Sequence, residues 1–227
     1  MFTSPSIPSR EILTRYLAPF GLTALLRPPE NLGQAVDSFW IGSQGESGIV
    51  LFLSALDAEI YRLQALSHGE KWVCHPLETI GLQRSVMQLG QAWTNLVFGF
   101  NANAYRHLTL GPSGCLLLPY FPECFGPLDR PSESLTFEFS TSLFETIEHQ
   151  WALTGASHYA ETVRKLNGLG ATRAGAVELH GLAERALNLA KLGPIGESPD
   201  ELTDWAVFSP DADAWCFGPN QRRQILH

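Results

Sequence analysis

Several features that would identify a membrane or secreted protein are missing from this sequence of 227 residues. It contains no run of about 18 apolar residues, the length that a membrane-spanning helix needs. The longest apolar runs, Gly48–Leu53 and Cys115–Pro119, have the length of strands. The first residues, Met1–Pro8, lack the basic start and apolar core of a signal peptide. These absences predict a cytoplasmic protein that does not associate with a membrane.

Cysteine and basic residues are also scarce. The four cysteines, Cys74, Cys115, Cys124 and Cys216, form no C-x-x-C pair, which indicates free thiols in a reducing compartment. A Cys115–Cys124 disulfide would require an oxidising one. Lys and Arg number 15 against 23 Asp and Glu, for a net charge of −8. This balance excludes a general nucleic-acid binder and favours a basic protein partner.

No complete catalytic or metal-binding motif is present. The glycines around Ser47 and Ser113 do not have the G-x-S-x-G spacing of a nucleophile elbow. The sequence has neither H-E-x-x-H nor H-x-x-E-H, the helical zinc motifs. We therefore predict no catalytic residue, no metal and no cofactor. The alternative is a site assembled from dispersed residues, for which Cys124, Glu145 and His149 are the first candidates.

The pattern of apolar and turn residues predicts an α+β fold with a mainly antiparallel sheet. Its centre is a three-stranded meander of Asn95–Phe100, Arg106–Leu110 and Cys115–Tyr120, with Asn and Gly residues in the turns. Helices are expected to pack on one face of the sheet. We expect one domain over residues 1–193. Residues 194–227 are expected to form a C-terminal hairpin appendage that docks on the same domain.

Individual segments give further predictions. Ser9–Ala18 has its apolar residues on one helical face and is expected to be a helix. Ile49–Leu53 is continuously apolar, which is typical of a strand buried on both faces. Ser54 is expected to cap the helix that follows it. The glycine-containing stretch Asn167–Gly170 is read as the end of a helix.

The C-terminal hairpin is the strongest candidate for a binding surface. Two apolar strands, Trp205–Phe208 and Ala214–Phe217, flank the loop Ser209–Asp213. Acidic residues and tryptophans alternate across this region, and no Lys or Arg lies between Glu197 and Asp213. The ring of a Trp supplies contact area, and carboxylates steer a basic partner. The predicted partner-binding residues are Asp200, Glu201, Asp204, Trp205, Asp211, Asp213 and Trp215.

Two functions therefore compete. The first is a non-catalytic protein-binding module, such as an acidic inhibitor or immunity-type protein that neutralises a basic toxin or effector domain. The second is a small cytoplasmic hydrolase or transferase with a dispersed Cys/His/Glu site. A pocket in which a thiol or carboxylate contacts an imidazole would favour the enzyme. Tryptophans folded into the core would weaken the proposed surface, since Trp is usually buried.

Overall fold

The computed structural model of the protein describes residues 13–28, 37–41, 48–80, 92–125, 134–156, 158–194 and 204–219. Its strands are β1 Leu13–Leu17, β2 Thr23–Arg27, β3 Asp37–Ser38, β4 Trp40–Ile41, β5 Gly48–Phe52, β6 Val73–Pro76, β7 Ala92–Val97, β8 Phe100–Ala102, β9 Leu108–Leu110, β10 Tyr120–Phe125, β11 Ser134–Glu138, β12 Leu192–Pro194, β13 Asp204–Ser209 and β14 Ala214–Pro219. Its α-helices are α1 Ala55–Leu66, α2 Thr141–Leu153, α3 Tyr159–Gly170 and α4 Arg173–Leu189. The predicted α+β class, with mostly antiparallel pairing, is confirmed.

Two larger sheets organise the described strands. A seven-stranded sheet has the order β10-β7-β5-β2-β3, with β4 also paired to β5 and β6 to β2. A five-stranded sheet has the order β12-β9-β8-β13-β14. Strands β1 and β11 form a separate parallel pair. The predicted C-terminal hairpin is present as β13 and β14, and β13 also pairs with β8.

The predicted meander is corrected by this topology, because its segments are divided between the two sheets. β7 lies in the seven-stranded sheet, where it is parallel to β5, whereas β8 and β9 belong to the five-stranded sheet. The chain crosses between the sheets at Gly99, where an added Cβ would lie 2.5 Å from the carbonyl oxygen of Ala206. The third predicted strand contributes an isolated bridge between Leu116 and Leu110, and its last residue, Tyr120, begins β10 in the seven-stranded sheet.

Helices pack on both faces of the large sheet, so the expectation of one covered face is wrong. All five residues of β5 are buried, as its continuous apolar run predicts. Val50 and Phe52 contact the core that includes Leu56 and Ile60 of α1. The alternate residues of β5 face the core that includes Phe144, Ile147 and Trp151 of α2. Each large apolar side chain buried in this way contributes about 2 kcal/mol.

The predicted helix over Ser9–Ala18 is also corrected, because Leu13–Leu17 is the strand β1; residues 9–12 lie outside the described part of the chain. Tyr16 pairs with Phe137 of β11, and the two rings stack with centroids 5.5 Å apart. The contact joins residues 121 positions apart in sequence, which helical periodicity cannot reveal. Tertiary pairing therefore overrides the local pattern.

Candidate functional site

The first strand of the hairpin does not present its tryptophan to solvent. Trp205 is 1% exposed and packs edge-to-face on Phe98, with ring centroids 5.2 Å apart. A partner cannot reach this side chain in the folded protein, which removes it from the predicted surface. Asp204 begins β13 and is half-buried. Asp200 and Glu201 lie outside the described residues.

The acidic residues of the hairpin turn have partners within the chain. The hydroxyl of Thr162 on α3 donates to Asp211, with an Oγ1–Oδ2 distance of 3.1 Å. The guanidinium of Arg185 on α4 forms an ion pair with Asp213. The charge of Asp213 is therefore compensated locally. The turn offers a basic partner less electrostatic attraction than the sequence alone suggests.

Trp215 is the tryptophan of the hairpin that borders an open groove. Its indole N–H donates to the carbonyl of Ala186 on α4, 2.9 Å away. Its ring packs edge-to-face on Phe100 and Phe208, with centroids 5.7 and 5.6 Å away. These contacts hold the half-buried Trp215 ring in place, where it lines a groove of about 370 Å³.

Exposed aromatic and aliphatic side chains form the rest of the groove. Tyr105 is 81% exposed and Leu189 is 50% exposed, and Lys191 follows at the end of α4. The guanidinium of Arg106 lies over the ring of Phe217, 5.7 Å from its centroid. We call this site the hairpin groove. Sequence analysis identified Asp213 and Trp215 in it but missed the other members.

The turn that carries Tyr105 is built by a local asparagine. The side-chain oxygen of Asn103 accepts hydrogen bonds from the amides of Tyr105 and His107, at 3.0 and 3.1 Å. This arrangement is an Asx-type turn, and it leaves Arg106 at a φ of +59°. An Asn followed two residues later by an aromatic residue was the signal in the sequence that could have pointed to this exposed tyrosine.

Left-handed backbone is concentrated at the groove. The described part of the chain has three non-glycine residues with positive φ, namely Arg106, His158 and Asp213. Arg106 and Asp213 both line the groove. Such conformations are unfavourable for residues with a Cβ and cluster at functional sites.

A second concave site borders a contact between a carboxylate and an imidazole, the kind of contact that an enzyme site would use. A cleft of about 420 Å³ between α1, α3 and α4 is lined by Glu59 and Cys74. Glu59 Oε1 lies 2.9 Å from Nδ1 of His180, and Glu59 Oε2 lies 3.6 Å from the thiol of Cys74. We call these residues, with Arg62, the Glu59 network.

The chemistry of the Glu59 network resembles an anchoring network more than a reactive centre. Arg62 binds both oxygens of Glu59, each at 2.6 Å. Burial alone would raise the pKa of Glu59, but the hydrogen bonds from Arg62 and His180 outweigh it and hold the pKa below its usual value. Burial raises the pKa of the Cys74 thiol, which stays protonated at neutral pH. The network thus holds no thiolate, and it ties α1 to α4.

The other predicted enzyme residues are not brought together. Cys124, Glu145 and His149 are all exposed, and no hydrogen bond or ion pair joins them within the described ranges. Within those same ranges, no three His, Cys, Asp or Glu side chains converge to hold a metal ion. Among the described helices, none is both long and apolar enough to span a bilayer.

Comparison with known proteins adds no functional information. The chain matches no protein-family model, no curated protein and no solved structure. The hairpin groove and the Glu59 network are therefore the two features of the described structure from which a function can be inferred.

Proposed function

We propose that the protein is a non-catalytic protein-binding module that holds a segment of its partner in the hairpin groove. The observation that carries the proposal is the convergence of Tyr105, Arg106 and Trp215 around one groove. Tyr, Arg and Trp are the residues most enriched among binding hot spots. Tyr105 also has little contact with the rest of the fold, since 81% of it is exposed.

The charges at the groove favour an acidic partner segment instead of the basic one expected from the net charge. Arg106 and Lys191 line the groove, and the acid at its rim, Asp213, is paired with Arg185. A segment with an aromatic or aliphatic anchor and a neighbouring carboxylate would complement these groups. Inhibition of a toxin or effector domain remains a proposal that the net charge of −8 motivates.

A capture experiment with matched variants tests this function. The immobilised protein is exposed to extract of its native cells, and retained proteins are compared between wild type, Tyr105→Ala and Val177→Ala. Val177 is also strongly exposed, at 71%, but lies near the start of α4. We expect the partner to bind wild type and V177A, and to bind Y105A at least about 10-fold more weakly. Equal retention of the partner by Y105A and wild type would refute the proposal that the hairpin groove binds it.

Two charge reversals separate the acidic partner from the basic one. Lys191→Glu should slow association with an acidic segment, whereas Asp211→Lys should slow association with a basic one. Both residues are exposed. Because Asp211 also accepts a hydrogen bond from Thr162, the unfolding curve of D211K is first compared with that of wild type. Association rates measured at several salt concentrations decide between them, since steering weakens as ionic strength rises. If D211K reduces the association rate and K191E does not, the partner segment is basic and the proposed acidic segment is wrong.

The second candidate function is the small enzyme, and the Glu59–His180 contact is the observation that favours it. In that case His180 would exchange protons while Glu59 orients its ring. Incubation of the protein with a metabolite mixture, followed by mass spectrometry, tests this alternative. Turnover by wild type that is lost in His180→Ala would support the enzyme and count against the binding module.

A further inference from the structure

Asp57 is the most unusual polar residue in the described core. It lies in the first turn of α1, and its backbone amide donates to the hydroxyl of Ser54, 3.4 Å away. Its side chain is completely buried, and neither carboxylate oxygen has a hydrogen-bond partner among the described residues. An ionised carboxylate in such a place is strongly disfavoured, because burial removes it from bulk solvent and no described residue donates a hydrogen bond to it.

The charge of Asp57 acts on the hydroxyl of Tyr159, the first residue of α3. Burial first and then the Asp57 carboxylate raise the pKa of this hydroxyl. Ser54 interacts with the same phenol, as does Cys216 of β14. Burial, with no opposing cation, raises the pKa of Asp57 from 3.8 to about 7. The carboxyl therefore changes its charge near neutral pH.

Tyr159 connects this acid to the C-terminal hairpin. Its hydroxyl donates to the carbonyl of Phe208 on β13, 3.3 Å away. On the surface above, Thr162 donates to Asp211 of the hairpin turn. We call the contacts of Tyr159 and Thr162 with Phe208 and Asp211 the α3 seam. The charge of Asp57 acts on this seam through its electrostatic interaction with the Tyr159 hydroxyl.

The α3 seam lies at the weak end of its helix. His158, the residue before α3, has a left-handed φ of +67°, and its side chain makes no capping hydrogen bond. Gly155, three residues earlier, is also left-handed. The first amides of α3 therefore lack the side-chain cap that usually stabilises a helix start. A helix end of this kind opens more readily than the core.

We propose that Asp57 is a proton-operated latch that holds the first turn of α3 against the C-terminal hairpin. With the carboxyl protonated, the α3 seam stays closed over a neutral group. When the carboxyl loses its proton, the seam opens so that water reaches the carboxylate. The latch belongs to the fold itself and does not depend on what binds the hairpin groove.

The direction of the pH effect follows from linkage. In the closed state Asp57 has a raised pKa of about 7, and in the open state the ordinary value of 3.8 applies. The closed state is therefore favoured at low pH, and its advantage is lost as pH rises from about 4 to about 7. Above pH 7 both states are ionised and the effect levels off. Between pH 5 and pH 7 the opening equilibrium constant should rise by about 50-fold.

Hydrogen exchange on the full chain tests the latch. Exchange rates of the amides in β13, β14 and the first turn of α3 are measured from pH 5 to pH 8 and corrected for the intrinsic pH dependence. The amide of Leu116, which donates to Gln64 on α1, is the internal reference. We expect opening of the α3 seam to increase about 50-fold between pH 5 and pH 7 in wild type and to stay constant in Asp57→Asn.

Glu145→Gln, which neutralises an exposed acid on α2, is the control and should behave as wild type. Two outcomes would overturn the proposal. One is that opening of the α3 seam depends on pH in the same way in wild type and D57N, and the other is that exchange of the Leu116 amide rises equally. If D57N does not fold, the carboxyl-carbon NMR titration of Asp57 in wild type, followed together with hydrogen exchange of the α3 seam, decides. A midpoint at or above about pH 6 that coincides with seam opening supports the proposal, and a lower midpoint, or seam opening that does not follow the titration, overturns it.

Discussion

Replacing Asn167 by alanine should destabilise the whole protein, because this one side chain connects α3 to two segments that are distant in sequence. Its oxygen accepts from the amide of Ala55 at the start of α1, at 2.7 Å. Its amide group donates to the carbonyls of Gly21 and Leu53, at 2.7 and 2.9 Å. All three hydrogen bonds of the Asn167 side chain thus join it to backbone groups more than 100 positions away in sequence.

The size of the effect follows from those three bonds. A hydrogen bond contributes about 1 kcal/mol net, and more when a partly buried partner is left unpaired. The amides at a helix start have no partner within the helix, so the amide of Ala55 would lose its bond without replacement. We expect N167A to lower the free energy of unfolding by about 3 kcal/mol. In a chain of this length, that change lowers the melting temperature by about 6 to 12 °C.

Urea denaturation followed by tryptophan fluorescence measures this change, and Asn188→Ala is the matched control. Asn188 is an exposed residue of α4, where Ala has the higher helix propensity, so N188A should be neutral or slightly stabilising. Asn167→Asp should destabilise at least as much as N167A, because its carboxylate would face two carbonyl oxygens. A free energy of unfolding for N167A within about 0.5 kcal/mol of wild type would refute the reasoning.

Two further predictions concern buried polar groups and thiols. Gln64 donates to the carbonyl of Gly114 at 2.7 Å and accepts from the amide of Leu116 at 3.1 Å. Because Gln64→Glu places a carboxylate against the carbonyl of Gly114, it should lower the free energy of unfolding by about 2 kcal/mol. An unchanged midpoint in the same urea assay would contradict this prediction. Cys124 is exposed, whereas burial raises the pKa of the Cys74 thiol. Iodoacetamide at pH 8 should therefore label Cys124 before Cys74. Faster labelling of Cys74, measured by mass spectrometry, would show that its thiol is not held protonated.

Local elements were predictable where burial leaves a periodic signal in the sequence. β5 was predicted from its continuous apolar run, and the cap of α1 from Ser54, whose hydroxyl accepts from the amide of Asp57. The hairpin of β13 and β14 was predicted from two apolar runs around a proline-containing turn. Each of these signals lies within a few residues of the element it specifies.

The candidate site was predictable only in part. Trp215 and Asp213 belong to the hairpin groove, but Trp205, which has the same residue type and lies on the neighbouring strand, is buried. The sequence shows that both tryptophans lie on strands, but it does not show which face of each strand meets the core. Tyr105 and Lys191 join the groove from segments 86 positions apart, and no local pattern connects them.

The sequence by itself determined the composition of the protein, its net charge, the α+β class and the positions of its most apolar elements. These properties depend on residue type and on periodicity over short distances. The tertiary structure alone decided that the central strands divide between two sheets, that Asp57 is buried without a partner, and that Asn167 holds the start of α1. The reason is physical: periodicity encodes that a side chain is buried, whereas its partner is chosen by contacts between segments distant in sequence.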